Sequence, residues 1–137
     1  MVGLVIASHG HLAEELLATA TLIIGELPCV KACSVEPGAS PEEIRRSISD
    51  AVKTVDSGQG VIVFADLVGG SPCTQSLSLC RHARIEVLTG VNLPMLVKLA
   101  NLEPSNTGLL GIARQVREHA REAIRVASDL MRPDAGS

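Results

Sequence analysis

Two residues suited to nucleophilic or acid–base chemistry, His9 and Asp66, each follow a short apolar segment. An unperturbed imidazole has a pKa of about 6.5, so near pH 7 it is largely neutral and can act as a nucleophile or a base. A carboxylate that accepts the proton of one ring nitrogen leaves the lone pair of the other nitrogen free to attack. If the two segments are neighbouring parallel strands, His9 and Asp66 meet at one edge of the sheet. Taken alone, each residue also fits a structural role in a turn.

A glycine-rich turn follows Asp66 and reads Gly69-Gly70-Ser71-Pro72. Two glycines permit a close approach of the backbone to a ligand, and serine followed by proline is typical of a helix start with Ser71 as the N-cap. The first turn of a helix presents unpaired N–H groups and the positive end of the helix dipole, which favour an anion such as a phosphoryl group. The turn therefore predicts an anion site to which Ser71 donates, although a simple helix cap explains the same residues.

Other chemistries lack the residues that they need. The chain has neither the G-x-x-x-x-G-K-[ST] pattern of a P-loop nor the G-x-G-x-x-G pattern of a dinucleotide site, and we expect no cofactor. His9 and His11 form an H-x-H pair without an evident third ligand, so we expect no metal. The cysteines, spaced C-x3-C and C-x6-C, are predicted to be reduced thiols that pack as small hydrophobes. They are Cys29, Cys33, Cys73 and Cys80.

Length and composition fit one compact domain. The chain has 137 residues, of which 46% are hydrophobic and 20% are charged, and we expect a single domain over residues 1–131 followed by a short flexible tail at 132–137. One aromatic residue, Phe64, and a net charge of -3 argue against a nucleic-acid partner. The start has no signal-peptide pattern and no run is long enough for a membrane span, so a cytoplasmic location is expected.

Apolar, β-branched segments alternate with helical patterns along the chain, which predicts an α/β fold with a mainly parallel sheet covered on both faces. The predicted strands are Leu4 to Ala7, Val61 to Ala65 and Ile85 to Leu88, with a weaker edge strand around Val30 to Val35.

The helices are predicted from their caps and apolar faces. The first runs from Leu12 to a stop at Gly25, with Leu12, Leu16, Leu17, Ala20, Ile23 and Ile24 on its buried face. Ser40 and Glu43 form a capping box for the second helix, whose buried face is Ile44, Ile48, Ala51, Val52 and Val55. Ser71 and Asn92 cap the next two, and the last helix is predicted from about Leu109 to Met131.

Three motifs in order resemble a known family. They are Val5 to Gly10 (VIASHG), followed by Ala13, Leu16-Leu17 and Gly25; Asp66 to Pro72 (DLVGGSP); and Thr89 to Leu96 (TGVNLPML). Together they resemble the mannose-family enzyme IIA domain of the bacterial phosphoenolpyruvate:sugar phosphotransferase system (PTS), over nearly the whole chain. The resemblance implies a flavodoxin-like three-layer α/β/α sandwich with strand order 2-1-3-4.

The same resemblance implies roles for individual residues. His9 matches the residue that accepts a phosphoryl group at Nε2 from phospho-HPr and passes it to an enzyme IIB. Asp66 matches the carboxylate that orients the ring through Nδ1. Ser71 and the backbone of Gly69 and Gly70 match groups around the phosphoryl group. Ser8 stands where the family often has threonine and keeps the phosphoryl-binding hydroxyl.

Departures from the family shape the remaining expectations. No IIB domain or linker follows the last helix, so a stand-alone IIA is expected, in sugar transport or its regulation. The segment after Met131 offers no strand of the kind that relatives exchange in a homodimer. Association with membrane permease components is compatible with the family. Two alternatives are a regulatory module whose binding depends on phosphorylation, and the phosphotransfer subunit of a dihydroxyacetone kinase system, which carries a Gly-Ser-Ala type of turn instead of Gly-Gly-Ser-Pro.

Overall fold

A computed structural model describes residues 1–81, 83–102 and 107–132 of the chain. Within these ranges strands and helices alternate in the order β1 (Gly3–His9), α1 (Leu12–Ile24), β2 (Val30–Val35), α2 (Pro41–Val55), β3 (Val61–Ala65), α3 (Ser71–Leu79), β4 (Ile85–Leu88), α4 (Leu93–Ala100) and α5 (Gly108–Glu122), followed by a 3-10 helix (Ala127–Met131). None of the helices in the described part of the chain is long and apolar enough to cross a membrane.

The strands form one parallel sheet in the order β2-β1-β3-β4. This arrangement confirms the predicted α/β class, the flavodoxin-like sandwich and the strand order 2-1-3-4. Strand β1 lies at the centre, and its residues pair with β2 on one side and with β3 on the other. The chain therefore leaves β1 toward one edge and later crosses to the other edge, which creates a switch point beside β1.

Helices cover both faces because successive side chains of a strand point to opposite faces. Leu4, Ile6, Ile62 and Phe64 belong to a core shared with α1, α4 and α5, whereas Val5, Ala7, Val61 and Val63 belong to a core shared with α2. All eight are almost completely buried. Strands buried on both faces read as continuous apolar runs, which is why these segments were predictable.

Three of the predicted helix caps are confirmed. Ser40 Oγ accepts the N–H of Glu43 at 3.1 Å, and all five predicted residues of the α2 face are buried. Asn92 Oδ1 accepts the N–H of Met95 at 3.0 Å at the start of α4. Gly25 ends α1 with a φ of 82°, a conformation that favours glycine.

Other predicted features are wrong in detail. On α1, Ala13 and Ala20 are fully buried, but Leu12 and Ile23 are exposed. The helix packs on the core through its small alanines, so these two larger residues lie at the flanks of the contact. The last helix ends at Glu122, not near Met131. No residue from 121 to 132 is buried, so packing no longer supports the helix beyond Ala120.

The four cysteines differ in burial. Cys33 and Cys73 are buried as predicted, whereas Cys29 is half-buried and Cys80 is exposed; all four are free thiols. Of the predicted tail, Arg132 is described, and residues 133–137 lie outside the described residues.

Candidate functional site

The carboxyl ends of β1 and β3 lie side by side at the switch point. Ala7 pairs with Ala65 in the register of the two strands, His9 is the last residue of β1, and Asp66 follows β3 directly. β1 extends two residues beyond its predicted end because Ser8 and His9 still pair with β2. The sheet therefore brings His9 and Asp66 together, although 56 residues separate them in the sequence.

One carboxylate oxygen of Asp66 holds His9 twice. Asp66 Oδ2 accepts the backbone N–H of His9 at 2.8 Å and lies 2.8 Å from ring Nδ1. Since an ionised carboxylate only accepts, Nδ1 carries a proton in this pair, and in the neutral ring the lone pair is on Nε2. The His9 side chain is 51% exposed, whereas the Asp66 side chain is only 10% exposed. The ring is thus held at one nitrogen and accessible from solvent.

Asp66 stays ionised despite its burial. Desolvation on its own raises the pKa of this carboxyl, but the hydrogen bonds from the backbone and ring of His9, the charge interaction with His9 and the N–H of Leu67 together outweigh it. The net result is a pKa below the ordinary value for aspartate. The Leu67 N–H contact, 2.9 Å to Asp66 Oδ1, occupies the second oxygen. Both oxygens of the carboxylate are therefore fixed in direction.

Gly70 lies against the Cε1–Nε2 edge of the His9 imidazole. A Cβ at this position would lie 2.7 Å from ring Cε1 and 3.4 Å from Nε2. The φ and ψ of Gly70, -74° and 163°, are ordinary extended values, so it is space and not conformation that requires glycine here. Its neighbour Gly69 has a φ of 78°, a conformation that favours glycine on its own account. The Cε1–Nε2 edge of the ring thus faces the start of α3.

Helix α3 begins one residue earlier than predicted. Gly70 is the N-cap, Ser71 is the first helical residue and Pro72 follows it, without a side-chain cap. The prediction that Ser71 caps this helix is therefore wrong, because the ring of His9 leaves room only for glycine at the cap. The N–H groups of the first turn have no acceptor inside the helix. Because Pro72 has no N–H, the free N–H groups of this turn are those of Ser71 and Cys73. The exposed Ser71 stands at this end.

Ser8 is positioned away from the exposed edge of the ring. It is completely buried, and its Oγ accepts the N–H of Ala13 at 2.7 Å. Neighbouring residues of a strand point to opposite faces, so Ser8 and His9 diverge. The hydroxyl thereby caps the first turn of α1, where the N-cap residue His11 makes no side-chain cap. The Ser8 hydroxyl is therefore engaged with α1 in the core of the protein.

The loop after β4 fixes the backbone of Asp66, a contribution that the sequence analysis did not predict. The N–H of Gly90 donates to the carbonyl of Asp66 at 3.2 Å, and the N–H of Val91 donates to the carbonyl of Ala65 at 3.1 Å. Gly90 has a φ of 73°, which favours glycine in the turn. The Thr-Gly-Val-Asn segment after β4 was the available signal, because a glycine just past a strand indicates a tight turn.

Exposed apolar side chains lie close to His9 and Asp66 in the sequence. Leu67 and Val68 follow Asp66 and are exposed, as is Leu12 at the start of α1. His11 and Glu14 form a loose pair, with 3.6 Å between Nδ1 and Oε2, and both are well exposed. Apolar surface beside a reactive group is typical of a protein-binding site. Among the described residues, no group of three His, Cys, Asp or Glu side chains could hold a metal ion.

Comparisons with known proteins agree on one family. The family model EIIA-man, described as "PTS system fructose IIA component", matches residues 3–116. The "PTS system mannose-specific EIIAB component" of Escherichia coli K12 is 30% identical over 125 residues, which cover 90% of this chain and 39% of that protein. The chain thus spans about two-fifths of that relative. The "PTS system sorbose-specific EIIA component" of Klebsiella pneumoniae is 30% identical over 102 residues, 74% of each chain. The crystal structure of phosphotransferase system component EIIA from Streptococcus agalactiae superimposes with a TM-score of 0.84 at 25% identity, over 93% of this chain and 98% of that one.

Proposed function

The chain belongs to the EIIA-man family of PTS IIA components, and from this premise we propose that it is a phosphotransferase that carries a phosphoryl group on His9. In this proposal His9 accepts the group from phospho-HPr and passes it to an enzyme IIB of a sugar PTS. The observation that carries the proposal is the His9–Asp66 pair, in which one ring nitrogen lies 2.8 Å from a buried carboxylate while the ring itself is half exposed.

The proposed reaction is an in-line displacement at phosphorus. The lone pair of His9 Nε2 forms a new N–P bond, the N–P bond of the donor phosphohistidine breaks, and its electron pair returns to the donor imidazole. His9 gains positive charge as it attacks, and the ionised Asp66 stabilises that charge through Nδ1. Reversal of the same step, with the nitrogen of an acceptor attacking, releases the group to the IIB. Catalysis rests mainly on positioning and electrostatics.

The start of α3 is the proposed cradle for the phosphoryl oxygens. The Cε1–Nε2 edge of His9 packs against Gly70, so a group on Nε2 is directed toward the free amides of the first turn and the exposed Ser71. Gly69 and Gly70 permit this approach because no side chain intervenes. The buried Ser8 is assigned a supporting role, in which it holds the first turn of α1 behind His9.

Partner proteins are proposed to dock on the exposed apolar residues around His9. Leu12, Leu67 and Val68 are exposed beside the site, and donor and acceptor must use this surface in turn, since both reach the same nitrogen. The proposal places the chain in the cytoplasm, where it can associate with membrane permease components without crossing the membrane. The printed names of the relatives mention mannose and sorbose, and we assign no sugar to this chain.

Intact mass spectrometry after incubation with phosphoenolpyruvate, enzyme I and HPr tests the proposal. We expect the wild-type chain to gain one acid-labile phosphoryl group and His9→Ala to gain none. The matched control is His119→Ala, which removes an exposed histidine of α5 that lies outside the site, and it should accept the group as the wild type does. Phosphorylation of His9→Ala, or no gain in the wild type with an active HPr, contradicts the proposal.

A chase separates carrier from regulator. When the purified phosphorylated chain is mixed with candidate IIB proteins, a carrier rapidly loses its phosphoryl group to one of them. A regulatory module keeps the group and changes its binding to a partner instead. Both behaviours require His9, so the chase decides the role without reopening the assignment of the residue.

A further inference from the structure

A cavity of about 680 Å³ lies at the edge of the sheet opposite His9, between the sheet and helices α4 and α5. Its size is within the range of small-molecule sites, about 300–1,000 Å³. Strand β1 connects the two ends of the molecule: Leu4 lines the cavity, and His9 lies five residues further along the strand. At about 3.3 Å per residue, the cavity and the phosphoryl site are about 16 Å apart along the strand.

The walls of the cavity are aliphatic. Leu4, Leu96 and Leu109 are buried residues of the core that reach its surface, and Leu99 and Ile112 are partly buried beside them. None of the described lining residues is aromatic. Apolar walls of this kind favour a saturated hydrocarbon body over a flat ring, because an aromatic ligand would find no ring to stack on.

One charged side chain lies at the mouth of the cavity. Among the described residues that line the cavity, Arg84, just before β4, has the only acidic or basic side chain apart from the thiol of Cys29. Among the described residues, no carboxylate lies within ion-pair distance of its guanidinium. A guanidinium suits a carboxylate geometrically, because its parallel N–H groups match the two oxygens. The cavity therefore combines aliphatic walls with the guanidinium of Arg84.

We propose that this cavity binds a medium-chain aliphatic carboxylate, with the hydrocarbon chain against Leu96, Leu99 and Ile112 and the carboxylate on Arg84. The inference is independent of the phosphoryl-carrier proposal, since none of the lining residues belongs to the His9 site. A ligand held here also leaves the exposed edge of His9 free.

Titration calorimetry with sodium decanoate, below its micelle concentration, tests the proposal on the full chain. We expect saturable binding of one decanoate per chain, an affinity about tenfold lower for Arg84→Gln, and a comparable loss when decanol replaces decanoate. Ala100→Phe, which projects a ring into the cavity from the end of α4, should abolish binding. The matched control, Arg46→Gln, removes an exposed arginine of α2 and should bind as the wild type does.

Methyl resonances of the unmodified chain provide a second measurement that does not depend on any variant folding. Decanoate should shift the methyl signals of Leu96, Leu99 and Ile112 and leave those of Leu67 and Val68, at the opposite end, unchanged. Absence of saturable binding overturns the proposal. Equal affinity of Arg84→Gln and the wild type overturns the carboxylate assignment, and binding without shifts at the cavity methyls overturns the location.

Discussion

Substituting Gly70 with alanine perturbs the position of the His9 ring without removing any group that takes part in the reaction. A Cβ on Gly70 would lie 2.7 Å from ring Cε1, whereas carbon atoms in contact lie about 3.5 Å apart or more. The ring must therefore retreat by about 0.8 Å. Since Asp66 Oδ2 lies 2.8 Å from Nδ1, the ring atom bonded to Cε1, the retreat distorts this contact and redirects Nε2.

We expect Gly70→Ala to slow phosphoryl transfer about 10- to 100-fold, because a displacement near 1 Å in an in-line reaction costs about this factor. The backbone angles of Gly70 suit alanine, so the free energy of unfolding should fall by about 1 kcal/mol or less. The assay is the initial rate of phosphorylation by phospho-HPr, followed by intact mass, together with urea unfolding of the same preparations.

Gly25→Ala is the matched control for this prediction. Gly25 has a φ of 82° and open space around it, so alanine is strained there but touches nothing near His9. We expect a loss of about 1 kcal/mol in stability with an unchanged transfer rate, so that a small loss of stability is separated from the effect on the His9 ring. A wild-type transfer rate in Gly70→Ala would refute the reasoning that the ring rests against this glycine.

Three further predictions concern Asp66 and Ser8. Asp66→Asn should fold but accept phosphoryl more slowly, because an amide cannot stabilise the imidazolium charge; an unchanged rate would remove Asp66 from the mechanism. The lowered pKa of Asp66 predicts a stabilisation that is fully present above the unfolded-state pKa of about 3.9 and is lost as the pH falls through the lower folded-state pKa. Urea unfolding between pH 6 and pH 2 should therefore show a shallower acid loss for Asp66→Asn, and parallel curves would argue against it. Ser8→Ala should lower the free energy of unfolding by about 1 to 2 kcal/mol, because the N–H of Ala13 loses its buried acceptor; equal melting temperatures would contradict this.

The central strands and the charge pair were accessible from the sequence for a simple physical reason. A parallel strand that is buried on both faces must be apolar throughout, so Val61 to Ala65 could be read directly. The carboxyl ends of neighbouring parallel strands lie at the same edge of the sheet, so the sequence predicted that His9 and Asp66 lie close together. Caps that use local side chains, such as Ser40 with Glu43, are equally readable because both partners lie within one turn.

Features that depend on contacts between distant segments were not readable. The sequence alone placed the cap of α3 at Ser71, but the ring of His9, more than 60 residues earlier, occupies the space of any side chain at Gly70. Ser8 carries a hydroxyl next to His9 in the sequence, yet the direction of the strand turns it into the core, where it serves α1. The end of α5 was set by where the sheet stops offering a packing surface, not by helical periodicity.

The sequence by itself thus determined the kinds of elements, their order and the pair of residues that can do chemistry, because periodicity, local caps and strand ends are properties of short segments. Only the tertiary structure decided that the Ser8 hydroxyl is buried against α1, which glycine is required for space, and where an aliphatic cavity opens at the opposite end of the sheet. These outcomes depend on how closely elements approach one another, and that distance is set by the packing of side chains far apart in the chain.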